Sequence, residues 1–195
     1  RSGRGFDRFS TLKRRIITTG DGSKTIQIED WDEQYHSKHG AVQEAYHVFI
    51  EHGLRLFKNE SINLLEIGFG TGLNALITLL EAPRQQLSID YVGVEAFPVS
   101  KQEVDALDYC QQLDANDQQE VFQKMHSSPW EETISITSDF SLLKQKKDFK
   151  EIDEENLFNL IYFDAFGARV QPELWTVEIF LKMYHALKRN GVLVT

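Results

Sequence analysis

The sequence predicts an α/β fold, in which a doubly wound and mostly parallel sheet carries helices on both faces. Three observations point there. From about residue 61 to the end of the chain, apolar runs of strand length alternate with segments of helical spacing. The first run, Ile62 to Ile67, breaks at once into a glycine-dense turn at Gly68, Gly70 and Gly72. Several of the later runs are closed by a single acid: Glu95, Asp139 and Asp164.

Taken in order, Ile16, Ile17, Thr25, Ile26, Gln27 and Ile28 alternate around Thr19-Gly20-Asp21-Gly22, which reads as a β-hairpin. Asp30 to Ser37 is a polar and aromatic loop. From Gly40 to Phe57, Val42, Ala45, Tyr46, Phe49, Ile50, Leu54 and Phe57 recur at helical spacing and predict one helix. The first core strand spans residues 62–67, and the helix after the glycines runs to about Glu81, where Pro83 stops it. Asp90 to Glu95 is the second strand. Residues 99–126 look helical, with a break at Asp114 to Asp117. Thr133 to Thr137 is expected as the third strand, followed by Ser138-Asp139, and residues 157–163 as the fourth, ending at Asp164. A helix from about Pro172 to Arg189 leads into a fifth strand at Gly191 to Val194. Residues 1–60 are thus expected as a hairpin-plus-helix extension packed on a core of residues 61–195. The chain stops at Thr195 inside the last strand, so that core is expected without a C-terminal hairpin.

The glycine turn carries the chemistry. Its spacing, Glu66-x-Gly68-x-Gly70-x-Gly72, differs from the dinucleotide fingerprint G-x-G-x-x-G and lacks the Gly-Lys-Ser/Thr of a phosphate loop. An acid two positions before the first glycine repels a pyrophosphate but suits a ligand with a cationic end. S-adenosylmethionine, with its sulfonium and α-ammonium, is such a ligand. In open α/β sheets ligands bind beyond the carboxyl ends of the strands. There Glu66 and the glycines would face the methionine part, Glu95 the ribose hydroxyls and Asp139 the adenine amino group. Each acid alone reads more readily as a helix cap or a solvated turn; four at one edge favour a binding rim. Asp164, opening Asp164-Ala165-Phe166-Gly167, is the candidate catalytic group. A carboxylate there can hold an ammonium and align the free amine with a methyl donor, which is most of what methyl transfer requires.

Composition bounds the alternatives. A net charge of −9 argues against a broadly basic nucleic-acid surface. Local basic clusters remain in residues 1–15 (Arg1, Arg4, Arg8, Lys13, Arg14, Arg15) and at Lys144, Lys146, Lys147 and Lys150. No apolar run is long enough to span a membrane, the N-terminus has no signal-like apolar core, and the single cysteine, Cys110, excludes an internal disulfide. A cytoplasmic location is expected. His36, His39 and His47 lack the spacing of a metal-binding motif, and no metal is expected.

Several segments together resemble one family. They are Thr19 to Thr25, Asp32 to Ala41 with Gln43-Glu44 and His47 to Ile50, Leu65 to Asn74, Phe163-Asp164-Ala165-Phe166, and Pro172 to Thr176. The set is similar to the methyltransferases of tRNA 5-methylaminomethyl-2-thiouridine biosynthesis. These occur as the N-terminal half of a bifunctional protein with an FAD-dependent oxidoreductase, and as stand-alone proteins. The resemblance covers roughly residues 14–195. It implies a Rossmann-like fold, S-adenosyl-L-methionine as cofactor, and tRNA as partner through its anticodon region. The implied reaction is methylation of an aminomethyl group on the wobble uridine. Carried over position by position, it implies cofactor contacts from Tyr35, Gly40, Glu44, Glu66, Gly68, Gly70, Gly72, Asn74, Glu95 and Asp139, with Asp164 at the aminomethyl group. No second dinucleotide motif follows, so no FAD domain is expected in this chain. The competing expectations are a small-amine transferase of related fold, such as an aminopropyltransferase, and a non-catalytic protein that binds the same cofactor.

Overall fold

The computed structural model describes residues 13–36 and 39–195; Arg1, Arg4 and Arg8 of the basic N-terminal cluster lie outside the described residues. The chain opens with the hairpin, β1 (Arg14–Thr18) and β2 (Lys24–Ile28), paired with Ile16 opposite Ile26 and extended by the short β3 (Glu33–Gln34). Asp21 organises its turn. Asp21 Oδ1 accepts from Ser23 N at 3.0 Å and from Thr19 Oγ1 at 2.8 Å, while Oδ2 accepts from Gln43 N at 3.1 Å. Ala41 N donates to Thr19 Oγ1 at 3.3 Å. The hairpin turn therefore satisfies the free amides at the start of α1 (Ala41–Ala45), the work a capping side chain normally does.

The single helix expected over residues 40–57 is three short pieces: α1, a π turn over Tyr46–Glu51 and a 3-10 turn over Leu54–Leu56. The apolar residues still reach the core, because Ala41, Ala45, Phe49, Ile50 and Leu54 are buried against the sheet. Next come β4 (Ser61–Ile67), α2 (Leu73–Gln85) and β5 (Ser88–Val94). Pro83 lies inside the last turn of α2 rather than ending it. The helix instead closes at Gln86, whose left-handed backbone (φ 55°) lets its N–H reach Ala82 and Pro83 carbonyls. The stretch after β5 holds α3 (Lys101–Asp105), α4 (Tyr109–Gln112) and α5 (Gln119–Ser127). Ser100 and Glu103 form a reciprocal capping box at the start of α3.

Residues 133–137 are not the third parallel strand. They form β6 (Thr133–Thr137), which runs antiparallel to β7 (Phe140–Gln145), and β7 pairs parallel with β5. The chain finishes with β8 (Phe158–Phe163), α6 (Val177–Ala186) and β9 (Leu187–Val194). Sheet order is β6-β7-β5-β4-β8-β9, parallel except for β6. The winding reverses between β4 and β8, the position at which such sheets open a ligand crevice. One face, with Leu64, Tyr91, Leu142 and Tyr162, packs under α1, α2 and α5. The other, with Leu65, Ile67, Val94 and Phe163, packs under α6. No helix of the described residues is long and apolar enough to cross a membrane.

Candidate active site

A cavity of about 550 Å³ lies over the carboxyl ends of β4, β5, β7 and β8, within the size range of small-molecule and cofactor pockets. Its floor is the glycine turn. Gly68 (φ 90°) and Gly70 (φ 50°) take backbone conformations that other residues adopt only under strain. At Gly68 there is also no room: a Cβ would stand 2.5 Å from the Asp164 carbonyl oxygen, where the ends of β4 and β8 touch. At Gly70 it would meet the Tyr35 ring at 2.9 Å. Tyr35 comes from the loop after β3 and closes the cavity from above. Its ring stands edge-on to Phe166, 5.0 Å between centroids, and Arg14 lies 5.9 Å from its centre.

Three of the expected acids converge here. Glu66, the penultimate residue of β4, is fully buried; its Oε2 accepts from Tyr91 Oη at 2.7 Å and its Oε1 from Asn74 Nδ2 at 2.9 Å. The same Asn74 amide nitrogen donates to Asp164 Oδ2 at 2.8 Å, so one amide bridges the carboxylates of β4 and β8. Asn74 Oδ1 is buried and has no hydrogen-bond partner. Glu95 secures the turn itself: Oε2 accepts from Gly70 N and Oε1 from Phe97 N, both at 2.9 Å.

Burial pushes the Glu66 carboxyl well above the ordinary range; the Tyr91 hydroxyl opposes this and the charge of Asp164 adds to it. Burial likewise raises Asp164, to about 7, against the Asn74 hydrogen bond and with the charges of Glu44 and Glu95 adding to it. Glu95 is raised by burial, with its backbone hydrogen bonds opposing. Carboxyls crowded in this way repel one another, and a cation placed among them relieves the repulsion.

The fit to S-adenosylmethionine can be judged on these features. Three carboxylates and the unpartnered Asn74 oxygen offer acceptors to an ammonium or sulfonium. The turn at Gly68 and Gly70 lets a ligand lie against main chain, and it lacks the Gly-Lys-Ser/Thr of a phosphate loop. The residues fit a cationic nucleoside ligand.

Not every expected residue belongs here. Asp139 sits in the β6–β7 turn at the amino end of β7, on the opposite edge of the sheet, where its carbonyl accepts from Ile89 N at 2.8 Å. Because β6 runs antiparallel, the turn that follows it faces the amino edge, and Asp139 is not at the cofactor cavity. The carboxyl end of β7 instead brings Asp148, Phe149 and Lys150 to the cavity. Their signal was the alternation of Phe140, Leu142 and Lys144, masked by the lysine. That Lys144 is buried, donating to His126 O at 2.6 Å and lying over the Trp130 ring. Gly40 does not line the cavity either; a Cβ there would stand 2.6 Å from the Asp21 carboxylate, so its need for glycine is structural. Gly72 caps α2 (φ 75°) behind the pocket wall, where a Cβ would meet His126 Nε2 at 2.8 Å. Tyr35, Glu44, Glu66, Gly68, Gly70, Asn74, Glu95 and Asp164 all line the cavity. Arg14 and Gln34 line it too, and nothing in their local spacing marks them; the hairpin has to fold first.

Known proteins similar to this chain are methyltransferases and MnmC proteins. Residues 111–195 match the model of a family described as S-adenosyl-L-methionine-dependent methyltransferase. The tRNA 5-methylaminomethyl-2-thiouridine biosynthesis bifunctional protein MnmC of Leptospira interrogans is 25% identical over 198 residues, covering 92% of this chain and 30% of that protein. Its namesake from Hydrogenovibrio crunogenus is 24% identical over 189 residues, covering 88% of this chain and 27% of that protein. The chain therefore spans about 30% of the length of the curated relatives it matches first. The crystal structure of MnmC2 from Aquifex aeolicus superposes with a TM-score of 0.70 at 25% identity, covering 98% of this chain and 63% of that one. A glycine turn without phosphate-binding groups and an acidic pocket at the sheet's switch point stand beside these likenesses: over residues 111–195 the chain is similar to S-adenosyl-L-methionine-dependent methyltransferases, and over most of its length to MnmC proteins.

Proposed function

We propose that the chain methylates the primary amine of 5-aminomethyl-2-thiouridine at the wobble position of tRNA, giving the 5-methylaminomethyl nucleoside. The observation that carries this reading is the Asn74 amide shared by Glu66 and Asp164, which sets two carboxylates with raised pKa side by side at the cavity wall. The names of the MnmC relatives point to the same substrate.

When bound, S-adenosylmethionine supplies an electrophilic methyl group on a sulfonium and leaves as a neutral thioether. Glu66 and the Asn74 oxygen are the acceptors for its ammonium, and Glu95 the acceptor for its ribose hydroxyls. Asp164 receives the aminomethyl group. As a carboxylate it holds the incoming ammonium; by taking a proton it leaves a nitrogen lone pair free. That lone pair would form the new N–C bond as the S–C bond breaks; Asp164 would pass its first proton to solvent, and as a carboxylate again could accept the proton that the methylated ammonium sheds. A carboxyl with a pKa near 7 is suited to proton exchange at neutral pH. Of the lysines at 144–150, Lys144 is buried and Lys147 pairs with Glu154 at 3.0 Å, which leaves the exposed Lys146 and Lys150 as the candidate phosphate contacts of the tRNA anticodon arm.

The test is mass spectrometry of the wobble nucleoside after incubating the chain and S-adenosylmethionine with tRNA that carries the aminomethyl group. A gain of one methyl at that nucleoside is expected. Methylation of polyamines with none of tRNA would reject the proposal and favour a small-amine transferase.

A further inference from the structure

Outside the active site, the π turn at Tyr46–Glu51 and its C-terminal capping residue His52 bring His47, Glu51 and His52 together, all exposed, with one donor atom from each within 4.8 Å of the others. Among the described residues this is the one group of three such side chains close enough to share a metal ion. We propose that it is a surface site for a borderline-soft divalent metal of the zinc type, held by two imidazoles and one carboxylate with a position left open to solvent.

The helix geometry makes the cluster. In an α-helix, residues five apart point about 140° away from each other, so His47 and His52 would diverge. The wider π turn brings them back together, 4.7 Å between ring centroids, and places Glu51 beside them. Hydrogen bonding prepares the ligands. His52 Nδ1 lies 2.7 Å from the His47 carbonyl oxygen, and a carbonyl only accepts, so Nδ1 carries the proton and Nε2 keeps its lone pair. That backbone anchoring of the ring nitrogen away from the ion is the usual companion of a metal-binding histidine. Glu51 divides its oxygens: Oε1 faces Arg55 at 3.6 Å and Oε2 faces His47 Nδ1 at 3.3 Å. Imidazole and carboxylate donors together suit zinc, nickel or cobalt, whereas magnesium prefers oxygen alone.

The site neither uses nor requires the methyltransfer reading, so its test stands apart from activity. Calorimetric titration of the chain with zinc chloride is expected to show one saturable site per chain, not displaced by excess magnesium. His47→Ala and His52→Ala should each weaken it by at least about tenfold, the range already seen when only an outer-shell partner is lost. His39→Ala, at an exposed histidine outside the cluster, should leave it unchanged. Since His47 and His52 are exposed, circular dichroism of both variants should match the parent. Cobalt in place of zinc should give a visible absorption band that the double variant loses. No saturable binding, binding that survives both substitutions, or equal competition by magnesium would overturn the proposal.

Discussion

Asn74 carries more of the site than its size implies. Its one amide nitrogen serves Glu66 and Asp164 together, so Asn74→Ala leaves two buried carboxylates adjacent with no donor between them. The protonated form of Asp164, already favoured by burial, becomes more favoured. Activity that needs the carboxylate should therefore fall at low pH with an apparent pKa near 7 in the parent, and with a higher value in Asn74→Ala. A pH profile of kcat/KM checks both statements; coincident profiles would remove Asn74 from the control of Asp164. Asp164→Asn keeps the shape but not the acceptor. It should lower kcat/KM by roughly 10²–10⁴, the usual span for a lost acid–base group. Cofactor affinity, measured by calorimetry, should change far less, because Glu66 and Glu95 remain. These residues were legible before folding because each sits at a fixed offset from a glycine or a strand end. Arg14 and Gln34 were not, since only the folded hairpin brings them to the cavity.

At the level of elements, the Thr19–Ser23 turn works as a cap supplied from outside the helix. Asp21→Ala removes the acceptor of Gln43 N and of three groups inside the turn. A loss of roughly 1–2 kcal/mol is expected, comparable to an N-cap deletion, and urea unfolding of the variant against the parent reads it. A change below the error of that measurement would show the cap to be dispensable. The elements also show where periodicity stops being informative. Residues 40–57 keep helical spacing throughout, yet the π turn inserts a wider step that no apolar pattern encodes. Residues 133–145 contain two short strands joined by Ser138-Asp139, and a two-residue turn without glycine gives little local signal. That turn is what puts Asp139 at the amino edge, whereas the parallel core of β4, β5 and β8 follows directly from its apolar runs.

For the whole molecule, the sheet keeps its two edges chemically apart. Asp139→Asn alters only the amino edge and should leave cofactor affinity within about twofold of the parent, below the ~1.4 kcal/mol of a tenfold change. A clear loss of affinity would contradict the observed topology. The carboxyl edge makes stability depend on pH. Asp164 is raised from 3.8 to about 7 on folding, so the folded chain holds a proton that the unfolded chain releases. Its contribution therefore weakens the fold progressively as pH rises from about 4 to about 7 and is constant above that. A cationic ligand offsets this by favouring the ionised form, so the rise in Tm produced by S-adenosylmethionine should be larger at pH 8 than at pH 5.5. Scanning calorimetry at the two values tests this, and an equal or reversed rise would speak against a cation among these acids.

Arg169 Nη2 donates to Glu33 Oε2 at 2.7 Å and to the Trp31 carbonyl at 3.2 Å, while Trp31 and Phe166 meet edge to face at 5.7 Å; Glu33 and Phe166 both line the cavity. The segments that follow β2 and β8 are thereby buckled to each other beside the chamber. An exposed ion pair is screened by added electrolyte, so this buckle should loosen in concentrated salt while the buried hydrogen bonds of Glu66 and Asp164 hold.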